Sequence, residues 1–358
     1  LSNDGLIAAG RDTHARAGEI SSGINSVFGG GINADGSVRQ SGDLTLTSSG
    51  KLASHGQNLA AGKLNVQAAD IDLSGSRSAG SAVTVTTPGA INNDRGMISA
   101  LSGDLSLNGA QLDNNGGRLE SAGNVQVRSA GLNNVGGTVV GQQLTLETGG
   151  LALNNQNGGI AAVENATLTA GALNNEGGKI IAGKNLNASL QSVNGSGQLL
   201  SLGDMQLGVN GDFTHTGSTL ANGNLDLSVQ GSLDNAGQLG AGQQLAVTAA
   251  NLNNQQSGDI SGQSTDLNMA GSLTNRGIID GVETVLKAGT VNNIGTGRIY
   301  GDHLAIQAGE LNNLTEGESA ATIAARQRLD LGVGTLNNTA HSLIYSGGEM
   351  SIGGQLDE

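Results

Sequence analysis

Short stretches in which apolar and polar residues alternate recur along the chain at a nearly fixed interval. Apolar-x-apolar pairs begin at Leu44, Leu64, Val83, Leu105, Val125, Leu144, Ala166, Leu186, Met205, Leu225, Leu245, Leu267, Leu304, Leu329 and Met350, mostly 19 to 22 residues apart. A weaker pair, Thr284-Val285-Leu286, fills the one double step and brings the series to sixteen units. A two-residue period is that of a strand with one buried face, and no stretch has helical spacing. Between the pairs stands an aliphatic residue followed by Asn, as in Leu132-Asn133-Asn134, Leu173-Asn174-Asn175 and Leu336-Asn337-Asn338. A third element, Gly-x-Ile/Leu-x-Ala, follows in Gly178-Lys179-Ile180-Ile181-Ala182-Gly183.

One unit therefore reads Leu-Asn-Asn-x-Gly-Gly-x-Ile-x-Ala-Gly-x-x-Leu-x-Leu, three short strands separated by Gly and Asn turns. Repetition every twenty residues turns each unit into one triangular coil whose strands pair in parallel with those of the next. The predicted fold is all-β, a right-handed parallel β-helix (solenoid) of about 16–17 coils along 1–358, the hand following from the rule for parallel crossovers. At about 4.8 Å per coil the expected rod is about 75–80 Å long. A single coil buries too little to fold alone, so stability belongs to the array.

Asn fills the third place of the second signature at Asn93, Asn114, Asn134, Asn155, Asn175, Asn235, Asn254, Asn275, Asn293, Asn313 and Asn338. Stacked at one corner, these amides are expected to form a structural ladder along the axis. The ladder lapses around Val193-Asn194-Gly195 and Phe213-Thr214-His215. Two departures from the period predict material bulging from the rod. Ile20 and Leu52 occupy equivalent places 32 residues apart, which puts a protruding insert near 22–36, and a smaller one lies near 316–322. No domain boundary is evident.

Composition narrows the classes. Gly makes up 61 of 358 residues, with one Pro, no Cys, no Trp, two Tyr and two Phe. A compact globule would be built round aromatics, and collagen would need Gly at every third position with abundant Pro. The charge of 16 basic against 30 acidic residues, −14 net, opposes nucleic acid and anionic membrane surfaces as partners. No apolar run is long enough to span a bilayer, and the first residues lack the features of a signal peptide. Absence of Cys suits either a reducing compartment or a chain that crosses an oxidising periplasm unfolded without stray disulfides.

Chemistry is sparse. The sequence has no phosphate loop, nucleophile elbow or His-Glu-x-x-His, and no cofactor is implied. The histidines His14, His55, His215, His303 and His341 lack metal-ligand spacing and read as solvated turn residues. Asp266, Glu283 and His303 are expected in the same turn of three successive coils, about 5 Å apart, where they would hold a cation or act as an acid/base pair. Phe28, Tyr300 and Tyr345 read as exposed aromatics available to a receptor. Val163-Glu164-Asn165-Ala166 differs by one letter from the Val-Glu-Asn-Asn that precedes toxin domains in some exoproteins, and it lies in register within a repeat.

The repeat resembles the haemagglutinin repeat of filamentous-haemagglutinin-like exoproteins, a group that includes bacterial adhesins and effectors of contact-dependent growth inhibition. The resemblance covers about residues 44–356, with a weaker coil at 1–20. It implies export through an outer-membrane two-partner-secretion transporter and folding as a filament at the bacterial cell surface. Neither a secretion domain nor a toxin domain is recognisable, and the two ends read as cuts in a longer filament. Three functions compete. The first is a non-enzymatic stalk projecting an adhesive or toxin-delivering region. The second is an adhesin that itself meets a cell-surface receptor or glycan. The third is a β-helical polysaccharide-degrading enzyme, for which the acidic clusters and subsite aromatics are few.

Overall fold

The computed structural model describes residues 1–356, which are strands and turns without a helix. The chain forms two compact units, Leu1–Gly183 and Lys184–Glu358. Each is a parallel β-solenoid with three strand faces per coil, as the alternation predicts.

In the first unit the apolar-x-apolar pairs form face one. Leu44 pairs with Leu64, Leu64 with Val83, Val83 with Leu105, Leu105 with Val125, Val125 with Leu144 and Leu144 with Ala166, every step parallel. Face two carries the Leu-Asn signature in Ala90–Asn92, Gln111–Asp113 and Gly131–Asn133, and face three the Gly-x-Ile-x-Ala signature in Met97–Ala100, Arg118–Ser121 and Thr138–Gly141. The columns Ile91-Leu112-Leu132 and Ile98-Leu119-Val139 are almost wholly shielded from solvent. Each column sets like side chains one coil apart, so these columns are stacks of aliphatics.

The second unit repeats the plan with longer strands that continue round the corners, such as Glu283–Ile294, Arg298–Glu316 and Thr322–Asn338. Its register corrects one expectation. Leu245 pairs with Thr265, and Thr265 with Thr284, so the coil's first inward residue is Thr265 and Leu267 takes the second place beside Leu286. Both threonines are buried. Their hydroxyls donate to the carbonyls of Asp280 and Tyr300 at 2.8 Å, which satisfies a polar group in a leucine's place.

The inserts also take definite positions. Ile20 pairs with Leu52, and Val27–Gly30 lies in face three between Leu6–Ala9 and Gln57–Ala60, so residues 22–30 belong to the regular coil. The extra residues begin at Gly31 and run to about Gly42, tied by an antiparallel bridge between Ile32 and Val38. In the second unit Thr315 and Glu316 pair antiparallel with Ala320 and Ser319 as a small hairpin. Arg276 holds it in a two-pronged hydrogen bond to Glu316, both contacts 2.9 Å, and this pairing keeps the Glu316 carboxyl below the usual range.

Candidate functional site

The chain's most repeated polar feature is the column of asparagines at the corner between faces two and three. In the first unit the Nδ2 of Asn93 donates to Oδ1 of Asn114 at 2.8 Å, Asn114 to Asn134 at 2.7 Å, Asn134 to Asn155 at 2.8 Å and Asn155 to Asn175 at 2.8 Å. In the second unit Asn235 donates to Asn254, Asn254 to Asn275, Asn275 to Asn293, Asn293 to Asn313 and Asn313 to Asn338, at 2.8 to 2.9 Å. All but Asn338 are buried. The second amide hydrogen reaches main-chain carbonyls; Asn114 offers its own to Gly117 and Thr138.

The two glycines of the repeat make room for this corner. Gly116 and Gly136 adopt φ of 60° and 62°, the left-handed conformation that lets the chain turn after the asparagine. The next glycine lies against the preceding coil, where a Cβ on Gly117 would stand 2.3 Å from the Asn93 carbonyl oxygen.

Every bond of this spine points from one coil to the next, so the first Asn of each file has an amide oxygen with no amide below it. In the first unit that oxygen belongs to Asn93. Asp72 pairs two coils on with Asp113 by way of Asn92, which sets Leu73 beneath Asn93, and Asn93 Oδ1 finds no donor among the described residues. In the second unit the place beneath Asn235 belongs to His215. Its Nδ1 lies 2.7 Å from Asn235 Oδ1 and its Nε2 3.0 Å from Thr219 Oγ1, and the ring meets Phe213 edge-on at 5.3 Å. A neutral imidazole that donates from Nδ1 and accepts at Nε2 satisfies both contacts. The expectation of a solvated His215 is therefore overturned. Burial lowers its pKa, opposed by the bond to Asn235.

A second, outer file escaped the sequence reading. Asn154 Nδ2 donates to Asn133 Oδ1 at 2.6 Å, and Asn133 Nδ2 to Asp113 Oδ1 at 2.7 Å, opposite in direction to the inner spine. It ends on an aspartate, which only accepts. The signal was present in Leu112-Asp113-Asn114, where Asp replaces the first Asn of the pair between Asn92-Asn93 and Asn133-Asn134.

The remaining candidates divide. Glu283 and His303 are paired in register and joined by a 2.9 Å contact from Nδ1 to Oε1, and His303 Nε2 lies 3.1 Å from Gln327 Oε1. Asp266 does not join them, because the strand is offset by two residues; Asp266 faces Val285, and Ser264 takes the place beside Glu283. Among the described residues no group of three His, Asp or Glu side chains could hold a metal ion. Phe28 is fully buried against the core, which corrects its reading as a surface anchor. Tyr300 is half-buried and Tyr345 exposed, both on the outer surface of face three. Ala166, the last residue of Val163-Glu164-Asn165-Ala166, pairs with Leu144 as an ordinary repeat position.

Comparison with known proteins finds the same kind of repeat in part of the chain. The haemagglutinin repeat model matches residues 98–155 and 142–189. A Toxin CdiA from Yersinia pestis is 38% identical over 71 residues, covering 20% of this chain and 2% of that protein. A tRNA nuclease CdiA-2 from Burkholderia pseudomallei (strain 1026b) is 34% identical over 112 residues, covering 25% of this chain and 4% of that protein. The chain thus spans only a few per cent of the length of these relatives. No solved structure matches.

Proposed function

We propose, from the premise that this is a haemagglutinin-repeat chain of the filamentous-haemagglutinin type, that it is a non-enzymatic stalk segment of a secreted bacterial exoprotein. Its work is to hold an adhesive or toxin-delivering region away from the cell surface. The observation that carries this reading is the coil-to-coil register within each unit. Residues about twenty apart in sequence are paired, the buried polar groups at the corner bond along the axis, and the insert tied by Ile32 and Val38 and the 315–320 hairpin leave the plan among the described residues. Such contacts let each coil add to the one before it as the chain emerges, which suits export of an unfolded chain through an outer-membrane two-partner-secretion transporter.

A spacer is defined by reach rather than by any one surface. Deleting one whole coil, residues 105–124, joins Asp104 to Val125 in register, whereas deleting 105–114 does not. In the full exoprotein the first deletion is expected to preserve surface display and target-cell engagement, measured by adhesion or competitor killing, and the second to abolish display. Loss of engagement with display intact on deletion of this single coil would sink the stalk reading, since one coil shortens the reach by only about 4.8 Å. Saccharide depolymerisation by the purified chain that Glu283→Gln abolishes would favour an enzyme instead.

A further inference from the structure

The chain has two tyrosines and no tryptophan, and both tyrosines line one cavity of about 380 Å³ in the second unit, with Ala324, Arg326 and Gly347. Register explains why they meet. Tyr300 pairs with Ala324 and Ala324 with Tyr345, so the three form one outward stripe on consecutive coils. The two tyrosine strands are about 9.6 Å apart, and the methyl group between them fills little of that interval. Contacts of about 3.5–4 Å on each side leave room for one ring between the phenols.

Arg326 is shared between this slot and a neighbouring cavity lined by Asp280 and Asp302, so its charge is answered beside the slot. Arg326, two residues beyond Ala324, reaches Asp280 Oδ2 from Nη2 and Asp302 Oδ1 from Nη1, both at 3.0 Å. One guanidinium against two carboxylates leaves a local charge of −1, within a chain of net charge −14. An anionic ligand is repelled here, whereas carboxylate oxygens accept bonds from hydroxyl groups. A ligand with an apolar ring face and a rim of uncharged hydroxyls meets both demands, since the phenols offer flat apolar surface and the acceptors lie in the adjoining cavity that Arg326 also lines.

We propose that the slot between Tyr300 and Tyr345 binds one pyranose ring of a neutral oligosaccharide. This goes beyond the stalk reading, since a spacer needs no such slot, and the two can fail separately. The tyrosines supply the near-ultraviolet emission of the chain, so the ligand reports on itself. Titration with neutral gluco-, galacto- and N-acetylglucosamine oligosaccharides is expected to give a saturable change in tyrosine fluorescence with at least one series. Calorimetry on the responding saccharide should show affinity weakened tenfold or more in Tyr345→Ala and in Ala324→Phe. The second variant fills the slot from an outward position and leaves the buried face intact, as unchanged circular dichroism and melting would verify. A sulfated form of the same saccharide is expected to bind more weakly. The proposal is overturned by the absence of a saturable response across the neutral series, by binding that survives both substitutions, or by preference for the sulfated form.

Discussion

The inner amide file of the first unit begins above Leu73, and that of the second begins above His215. The files are otherwise alike, with buried asparagines one coil apart and Nδ2-to-Oδ1 contacts of 2.7 to 2.9 Å. A file whose bonds all point one way must leave one acceptor over at its start. The first unit leaves Asn93 Oδ1 buried with no donor among the described residues, and the second supplies a ring nitrogen. A spine of like residues is set by its ends as much as by its repeats. The interior rungs satisfy each other, while the terminal rung depends on a residue that breaks the pattern.

An interior rung carries the largest cost of substitution. Asn134 accepts from Asn114 and donates to Asn155, so Asn134→Leu removes two buried bonds and strands the Asn155 oxygen. A cost of about 3–5 kcal/mol is expected, read as a lowered urea midpoint for the affected unit. Asn275→Leu should cost as much in the second unit, since it too sits between two amide partners. A loss below about 1 kcal/mol at both positions would mean that the spine is incidental to stability.

Next in size is the histidine. His215→Leu converts the start of the second file into a copy of the first, with Asn235 Oδ1 deprived of its donor and the Thr219 hydroxyl of its partner. We expect a loss of about 2–3 kcal/mol. His215→Asn restores a donor beneath Asn235 and should recover much of it. The two variants also separate a pH effect. Burial holds the native His215 pKa below the value of about 6.5 for the unfolded chain, so the native state favours the neutral ring. Its contribution is complete above pH 6.5 and declines as the pH falls, because the unfolded chain takes up the proton first. Relative to His215→Asn, the wild type should lose up to about 1.4 kcal/mol per pH unit below that point. Parallel stability curves for the two proteins between pH 7 and 5 would contradict the buried neutral assignment.

These ends mark the boundary of what the pattern of residues discloses. The strand faces and the Asn column are legible because each repeats the same residue class at a fixed interval. Thr265 was passed over because a hydropathy reading counts threonine as polar, whereas a hydroxyl with a carbonyl in reach is at home inside a coil. His215 was misplaced for a related reason, since its partners, Asn235 and Thr219, become neighbours only once the coils stack. The first insert began later than expected because Val27-Phe28-Gly29-Gly30 departs from the usual Gly-x-Ile-x-Ala. Gly29 leaves space that Ile32 enters, as a Cβ there would stand 2.6 Å from Ile32 Cγ1. The Tyr300 and Tyr345 slot required knowing that 24 residues separate Tyr300 from its partner Ala324, because the 315–320 hairpin lengthens that coil.

At the start of the first file a substitution is nearly neutral. Asn93→Leu removes the stranded oxygen and transfers its condition to Asn114 Oδ1, one coil further along, so the number of buried unpaired acceptors is unchanged. The substituted leucine would occupy the corner as Leu73 already does, fully buried in the coil before. A change within about 1 kcal/mol is therefore expected, although the same substitution at Asn134 costs several times more. The converse change, Leu73→Asn, extends the file by one rung and gives Asn93 Oδ1 a donor, which offsets the cost of placing an amide in an apolar position. Leu112→Asn, with no amide above or below, should cost about 3–5 kcal/mol and serves as the control. In a double-mutant cycle, asparagine at 73 should be worth about 1–2 kcal/mol more beneath Asn93 than beneath leucine at 93. A coupling of zero would show that neighbouring rungs do not communicate and that the two files differ only in appearance.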